Sequence, residues 1–324
     1  MKLLVVRFSS IGDIVLTTPV VRNIKKHFPH AVIHYITKEK YASILKANPY
    51  IDEIITIQKK IGEKTALLKS EKYDYIIDLH HNLRSGILKA KLLSLSFSFD
   101  KINLEKWLMV RFKKNLLPDL HIVERYMDVV KPFGVQNDQL GLDYFISEED
   151  QVDFSLLPTE YRSDYIVFAL GGTYNTKKLP LEKMIELCKN LSGYLILLGG
   201  KEDRQVGENI LAECKQNVYN GCGKFTVNES ASIIKKAKCV ITHDTGMMHI
   251  ASAFKKDVIS IWGNTIPEFG MYPYKAGSKS IIFEVDNLDC RPCSKLGYDK
   301  CPKKHFKCMQ DINIGKVVQY VNSM

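Results

Sequence analysis

A strand–helix alternation with a spacing of about 20–25 residues runs through this chain twice, and it restricts the fold more than any other feature. In the first half, short β-branched runs at Lys2 to Arg7, Ala31 to Thr37, Ile54 to Ile57 and Tyr75 to Leu79 read as buried strands. Helical spacing separates them at Ile14 to Phe28, Tyr41 to Asn48 and Ile61 to Ser70. The rhythm blurs between Lys89 and Lys131 and restarts after Pro158. Strands are then expected at Tyr165 to Leu170, Tyr194 to Leu198, Cys239 to Thr242 and Val258 to Trp262. Helices are expected at Leu181 to Leu191, Val206 to Cys214, Val227 to Lys236 and Gly246 to Phe254. Such alternation implies parallel βαβ units, and 324 residues exceed what one core usually holds. The expectation is an α/β protein of two doubly wound, Rossmann-like domains, residues 1–157 and 158–324.

Ligands of such sheets gather at the carboxyl ends of the strands, so the loops there carry the search. The first is Ser9-Ser10-Ile11-Gly12-Asp13, directly after the opening strand. Gly12 lets backbone approach a ligand, and Asp13 can serve as a general base; the plainer alternative makes Asp13 a helix-capping or dipole-compensating acid. The second is Gly171-Gly172-Thr173 followed by Lys177 and Lys178, suited to phosphate, or otherwise an ordinary loop with solvated lysines. The third is Gly199-Gly200-Lys201-Glu202-Asp203, an acid of which can accept from two ribose hydroxyls or simply face water. The fourth is His243-Asp244-Thr245-Gly246 with His249 one turn on, a capped helix start that also fits phosphate. Neither G-x-G-x-x-G nor a Walker A sequence is present.

Taken together, LLVVRFSSIGDIVLTTPVVRNIKKHFP, DLHHNLRS, the GG-x-x-D loop at 199–203, VITHDTGMMHIASAF and IWGNT resemble glycosyltransferase family nine, the ADP-heptose–lipopolysaccharide heptosyltransferases. The resemblance spans most of the chain, and the ordered co-occurrence of the motifs makes it specific. It implies a GT-B architecture: two Rossmann-like domains facing across a cleft, the first holding acceptor and the second nucleotide sugar, with a terminal helix (Ile312 to Asn322) crossing back. By motif position, Asp13 would be the catalytic base, with Ser10, Gly12, Asn82 and Arg84 on the acceptor side. Gly172, Thr173, Lys177, Glu202, Asp244, Thr245, Gly246 and His249 would bind the donor. Leu179 stands where many relatives carry an aromatic, which keeps Lys178 a competitor of Lys177. The implied reaction is an inverting, metal-independent transfer of heptose or a related sugar from ADP-heptose to a lipopolysaccharide-core acceptor. A sugar-nucleotide epimerase of the same fold is the alternative.

Net charge is +10, unevenly spread. Residues 1–131 carry +10, residues 132–157 carry −6, and residues 158–324 carry +6. A basic first domain suits a polyanionic partner. Nucleic acid is one such partner, but no RRM, KH, zinc-finger or helix-turn-helix signature accompanies the charge. Basic and aromatic residues interleave from Trp107 to Lys114, which suits an anionic membrane surface, or otherwise a helix packing its apolar side inward. No apolar run approaches the roughly 20 residues of a membrane span, and the start lacks a signal-peptide core. The expected location is the cytoplasm, with peripheral contact to the inner face of the inner membrane.

Four of the eight cysteines crowd into a short segment as Cys290-x2-Cys293-x7-Cys301-x6-Cys308. Four thiolates so spaced can form a tetrahedral structural zinc site; packed reduced thiols and disulfides are the alternatives. Such a site has no open position for catalysis, and no cofactor is expected for the reaction itself.

Overall fold

The computed structural model describes residues 1–214 and 217–324. These form two compact units, Met1–Ile102 with Leu120–Ser147, and Asn103–Asp119 with Glu148–Met324. Where the sequence suggests one division at 157/158, the chain thus passes between units three times.

The first unit is a five-stranded parallel sheet: β1 (Lys2–Val6), β2 (Val32–Lys38), β3 (Glu53–Ile57), β4 (Tyr75–Asp78) and β5 (Leu95–Ser98), in the order β3-β2-β1-β4-β5. Its strands bury nearly every side chain of β1, as a parallel sheet covered on both faces must. The single helix expected over Ile14 to Phe28 is two, α1 (Ile11–Val15) and α2 (Thr18–His27). Pro19 explains the break, because it sits in the first turn of α2, where its missing N–H leaves no bond unmade. Helices α3 (Thr65–Ser70) and α4 (Leu83–Leu92) follow. The helix expected over Tyr41 to Asn48 is a short 3-10 turn at Glu39–Ile44. Next in the chain, α5 (Asn103–Phe112) groups with the second unit, and α6 (Ile122–Met127) returns to the first.

The second unit is a six-stranded parallel sheet of β6 (Tyr165–Ala169), β7 (Tyr194–Leu198), β8 (Val218–Asn220), β9 (Cys239–His243), β10 (Asp257–Ile261) and β11 (Ile281–Phe283). The order is β11-β10-β9-β6-β7-β8. Its crossover helices are α7 (Leu181–Asn190), α8 (Arg204–Cys214), α9 (Val227–Lys236) and α10 (Gly246–Ala253). Residues 284–306 hold neither helix nor strand. The chain closes with α11 (Lys307–Gln310) and α12 (Ile314–Asn322), whose Ile314, Val317 and Val321 join the core of β6, β7 and α7.

In both sheets the first strand of the unit is central, and the chain turns to opposite sides of it. That is a topological switch point, at the carboxyl end of β1 in one unit and of β6 in the other. Arg22 on α2 secures the loop that closes the first unit: it is buried, pairs with Asp138 (Nη2–Oδ1 2.8 Å) and Asp143, and donates to the Gly141 carbonyl at 2.8 Å. Arg22→Met leaves Asp143 and the Gly141 carbonyl without this partner while Lys26 still pairs with Asp138 at 2.8 Å, so chemical denaturation should show a loss of about 3 kcal/mol.

Candidate active site

In the first unit the expected acceptor-side residues meet at neighbouring strand ends. Ser10, Gly12 and Asp13 follow β1; Asn82 and Arg84 follow β4, which pairs directly with β1. Asp13 Oδ2 accepts from the Ser10 amide (3.0 Å) and hydroxyl (2.7 Å), so the capping role is realised. Yet Oδ1 faces the Arg7 guanidinium at 2.5 Å, and 22% of the Asp13 side chain remains exposed. Burial pushes the Asp13 carboxyl up, but the Arg7 charge and the Ser10 hydrogen bonds prevail and hold it below the usual carboxylate range. Nearby His80 is pushed down to about 4 by burial and by the charges of Arg7 and Lys101, so it is neutral at pH 7. The Asn82 side-chain oxygen accepts from the Ser85 amide at 3.0 Å and caps α4, while Arg84 is exposed.

In the second unit the donor-side residues occupy the ends of three adjacent strands, β9, β6 and β7. Lys177 Nζ pairs with Asp244 Oδ2 at 2.5 Å, and Thr265 Oγ1 donates to the same oxygen at 2.8 Å. The loop after β6 is thereby fastened to the Asp244-Thr245-Gly246 turn that opens α10. Gly172 packs there too: a Cβ on it would come within 3.3 Å of Thr245 Cγ2 and 3.4 Å of Lys178 Cγ. Lys178 points to Asp203 instead (Nζ–Oδ1 3.4 Å), which separates the two competing lysines. Lys177 is the one on the Asp-Thr-Gly turn. After β7, Asp203 is buried and accepts from the Gly200 amide at 3.0 Å, whereas Glu202 is exposed. Thr173 is exposed, and His249 is buried within α10. His243 accepts the Leu179 amide proton on Nε2 (3.1 Å), and burial holds its pKa at about 3.

Arg7 and Thr265 are missing from the residues singled out by motif, and of the two acids of the loop after β7 Asp203 is the buried one. Arg7 had a readable signal, a cation ending an otherwise apolar strand. Thr265 had only its place in IWGNT.

A cavity of about 690 Å³ in the second unit lies elsewhere, lined by Glu268, Glu284, Asp286, Asp311 and Lys316 among others, and shares no donor-side residue. In the cysteine segment, Cys293 Sγ donates to the Cys290 carbonyl (3.0 Å) and Cys290 Sγ lies 3.8 Å from His305 Nε2. All eight cysteines are free thiols. Among the described residues no three His, Cys, Asp or Glu side chains are gathered as a metal centre requires.

The family model for glycosyltransferase family 9 (heptosyltransferase) matches residues 64–300, most of the chain. The chain belongs to glycosyltransferase family 9. It is therefore a glycosyltransferase. Lipopolysaccharide heptosyltransferase 1 of Campylobacter coli is 27% identical over 289 residues, covering 82% of this chain and 84% of that protein. Lipooligosaccharide heptosyltransferase 2 of Campylobacter jejuni subsp. jejuni serotype O:2 is 24% identical over 328 residues, covering 97% and 95%. Among solved structures, that of E. coli ADP-heptose lps heptosyltransferase II superposes with a TM-score of 0.76 at 21% identity, over 100% of this chain and 98% of that one. This shared fold is the GT-B architecture expected from the family motifs. Among the described residues no helix is long and apolar enough to cross a membrane.

Proposed function

We propose that this family 9 enzyme transfers a heptose from ADP-heptose to a saccharide of the lipopolysaccharide core, inverting the anomeric centre and using no metal. The observation that carries the reading is the Lys177–Asp244–Thr265 cluster at the switch point of the second sheet. It sets one cation and the start of α10 where a diphosphate would lie. As the sugar leaves, negative charge grows on the diphosphate; Lys177 and the amides opening α10 stabilise it without a divalent ion. Glu202, exposed after β7, would accept from the ribose hydroxyls, and Thr173 would donate to a phosphate oxygen. His249 would support the α10 turn from within.

On the acceptor side Asp13 takes the proton of the attacking hydroxyl. The acceptor oxygen bonds to the anomeric carbon as that carbon's bond to the diphosphate oxygen breaks, and the electron pair departs on ADP. Attack from the face opposite the leaving group inverts configuration, and one carboxylate suffices. Ser10, Gly12, Asn82 and Arg84 would position the acceptor, Arg84 as a cation for its anionic groups. The test is paired. ADP should raise the melting temperature of wild type more than UDP or GDP does. Asp13→Ala should keep that rise while losing transfer by about 1,000-fold or more. Near-normal turnover in Asp13→Ala removes the base, and indifference among nucleotides removes the donor assignment.

The acceptor is lipid-linked in this reading, so we also propose that the enzyme works in the cytoplasm against an anionic membrane surface. Helix α5 has no fully buried residue, with Leu108, Met109 and Val110 half-buried against the protein and the rest of its apolar side open. Leu104, Trp107 and Phe112 stay 63%, 52% and 62% exposed beside Arg111 and Lys114. Lys113 is occupied, donating to the carbonyl of Pro292 at 2.7 Å. Co-sedimentation should rise with anionic lipid content and fall for Trp107→Ala/Phe112→Ala; equal binding to neutral vesicles refutes the surface.

Cys290, Cys293, Cys301 and Cys308 are proposed to be drawn together by a structural zinc that braces the irregular segment 284–306, which packs on the donor-side loops, Arg291 donating to the Thr265 carbonyl at 2.8 Å and the Thr176 amide to the Tyr298 carbonyl at 3.0 Å. Elemental analysis of untagged protein should find about one zinc per chain; a content near zero retires it.

A further inference from the structure

Arg7 belongs to none of the roles assigned above, yet it is the most heavily committed side chain at the base. It ends the apolar run of β1 and is almost fully buried. Its Nη2 faces Asp13 Oδ1 at 2.5 Å. Nη1 donates to the Leu79 carbonyl at 2.5 Å and to the Tyr126 hydroxyl at 2.9 Å, and Nε donates to the Ser9 carbonyl at 2.8 Å. One guanidinium therefore ties together the end of β1, the end of β4, the α6 helix and the turn that carries Asp13. Lysine could not reproduce this, because its ammonium is a single point and the contacts need a planar fork.

The arrangement also counts lone pairs. A carboxylate offers about four acceptor positions. Arg7 takes one on Oδ1, and the Ser10 amide and hydroxyl take two on Oδ2. The position left open is on Oδ1, the oxygen that Arg7 fixes.

We propose that Arg7 is the positioning residue of the catalytic base, orienting Asp13 so that the free lone pair of Oδ1 meets the acceptor hydroxyl and keeping the carboxylate ionised. This rests on Asp13 being the base. The groups facing Asp13 come from five places: Arg7 at the end of β1, Ser10 in its own turn, Tyr35 on β2, His80 after β4 and Tyr126 on α6. Burial drives both phenols above their ordinary value and keeps them neutral. His80 is neutral as well until the pH nears about 4. Around neutrality, Arg7 is thus the one charged partner among them.

Removing the cation should let burial dominate, so the acid limb of the rate profile must move upward. With the full chain, Arg7→Met should lower kcat about 100-fold, leave the donor KM within about twofold, and raise the acid limb of kcat by about one to three pH units. Arg7→Lys should bring the limb back most of the way while kcat recovers only in part. Tyr126→Phe should cost about fivefold in kcat with KM unchanged, the scale of one lost hydrogen bond. His80→Gln, as a control, should leave the limb where it is.

An acid limb that stays at its wild-type position in Arg7→Met, with a melting temperature that falls in step with activity, would reduce Arg7 to a structural residue. If Arg7→Met does not fold, wild-type kcat in both Arg7→Lys and Tyr126→Phe overturns the proposal, because the fork geometry then does nothing for the rate. Retained transfer in Asp13→Ala is a separate result: it overturns the base assignment itself, whatever the Arg7 variants do.

Discussion

Parallel pairing on both sides of a central strand is the constraint from which everything else in each unit follows. β1 is flanked by β2 and β4, and β6 by β7 and β9, so the backbone groups of both strands are spent on neighbours. A parallel neighbour can be reached only by a crossover, and crossovers to opposite sides must leave on opposite faces of the sheet. The loops after β1 and β6 are then parted from the next connection, and each opens a crevice. The residues with chemistry to do sit there because the sheet supplies no other place where backbone is uncovered and rigidly held.

Rigidity matters because the charges at both crevices are held by countercharges before any substrate arrives. Lys177 is pinned to Asp244, itself fixed by Thr265, and Asp13 is pinned to Arg7 and Ser10. Such pairs contribute little to stability once desolvation is counted. Their use is preorganisation: dipoles and charges already aimed need not reorganise when charge develops. The glycines cooperate by size. Gly172 admits the close approach of Thr245, and Gly199 has Asp203 against it so closely that a Cβ would lie 2.7 Å from the Asp203 Cβ.

Much of this was legible in the chain. Tyr194–Leu198 and Val227–Lys236 stand where periodicity places them, because a fully apolar run or a clean amphipathic face with a Thr226 cap leaves few alternatives. The short edge strands β8 and β11 were not legible, since three residues carry no period and are defined by their neighbours. Between Lys89 and Lys131 the pattern blurs for a physical reason: α5 has no fully buried residue, so no strict apolar stripe had to be kept. At the site, Asp13 and Asp244 could be named from motif. Arg7 and Thr265 act through contacts to other strands, and Lys177 differs from Lys178 only in which carboxylate it reaches.

Asp13, the proposed base, is weakened by its own partner and looks at first like a poor choice for taking a proton from a sugar hydroxyl, whose acidity is slight. Proton-transfer efficiency, however, depends on the acidity of the hydroxyl in the transition state and not in the free acceptor. As the bond to the diphosphate stretches, positive character builds on the anomeric carbon and passes to the attacking oxygen, so its proton becomes far more acidic late in the reaction. A carboxylate that stays ionised and correctly aimed then serves better than a more basic one that is free to turn. In the proposed mechanism Arg7 would supply the ionisation and the aim together, while Lys177 and the α10 turn would lower the cost of the departing charge. Deprotonation before attack would need a stronger base than Asp13 in this setting; deprotonation that follows bond formation needs only the one that β1 and its neighbours hold in place.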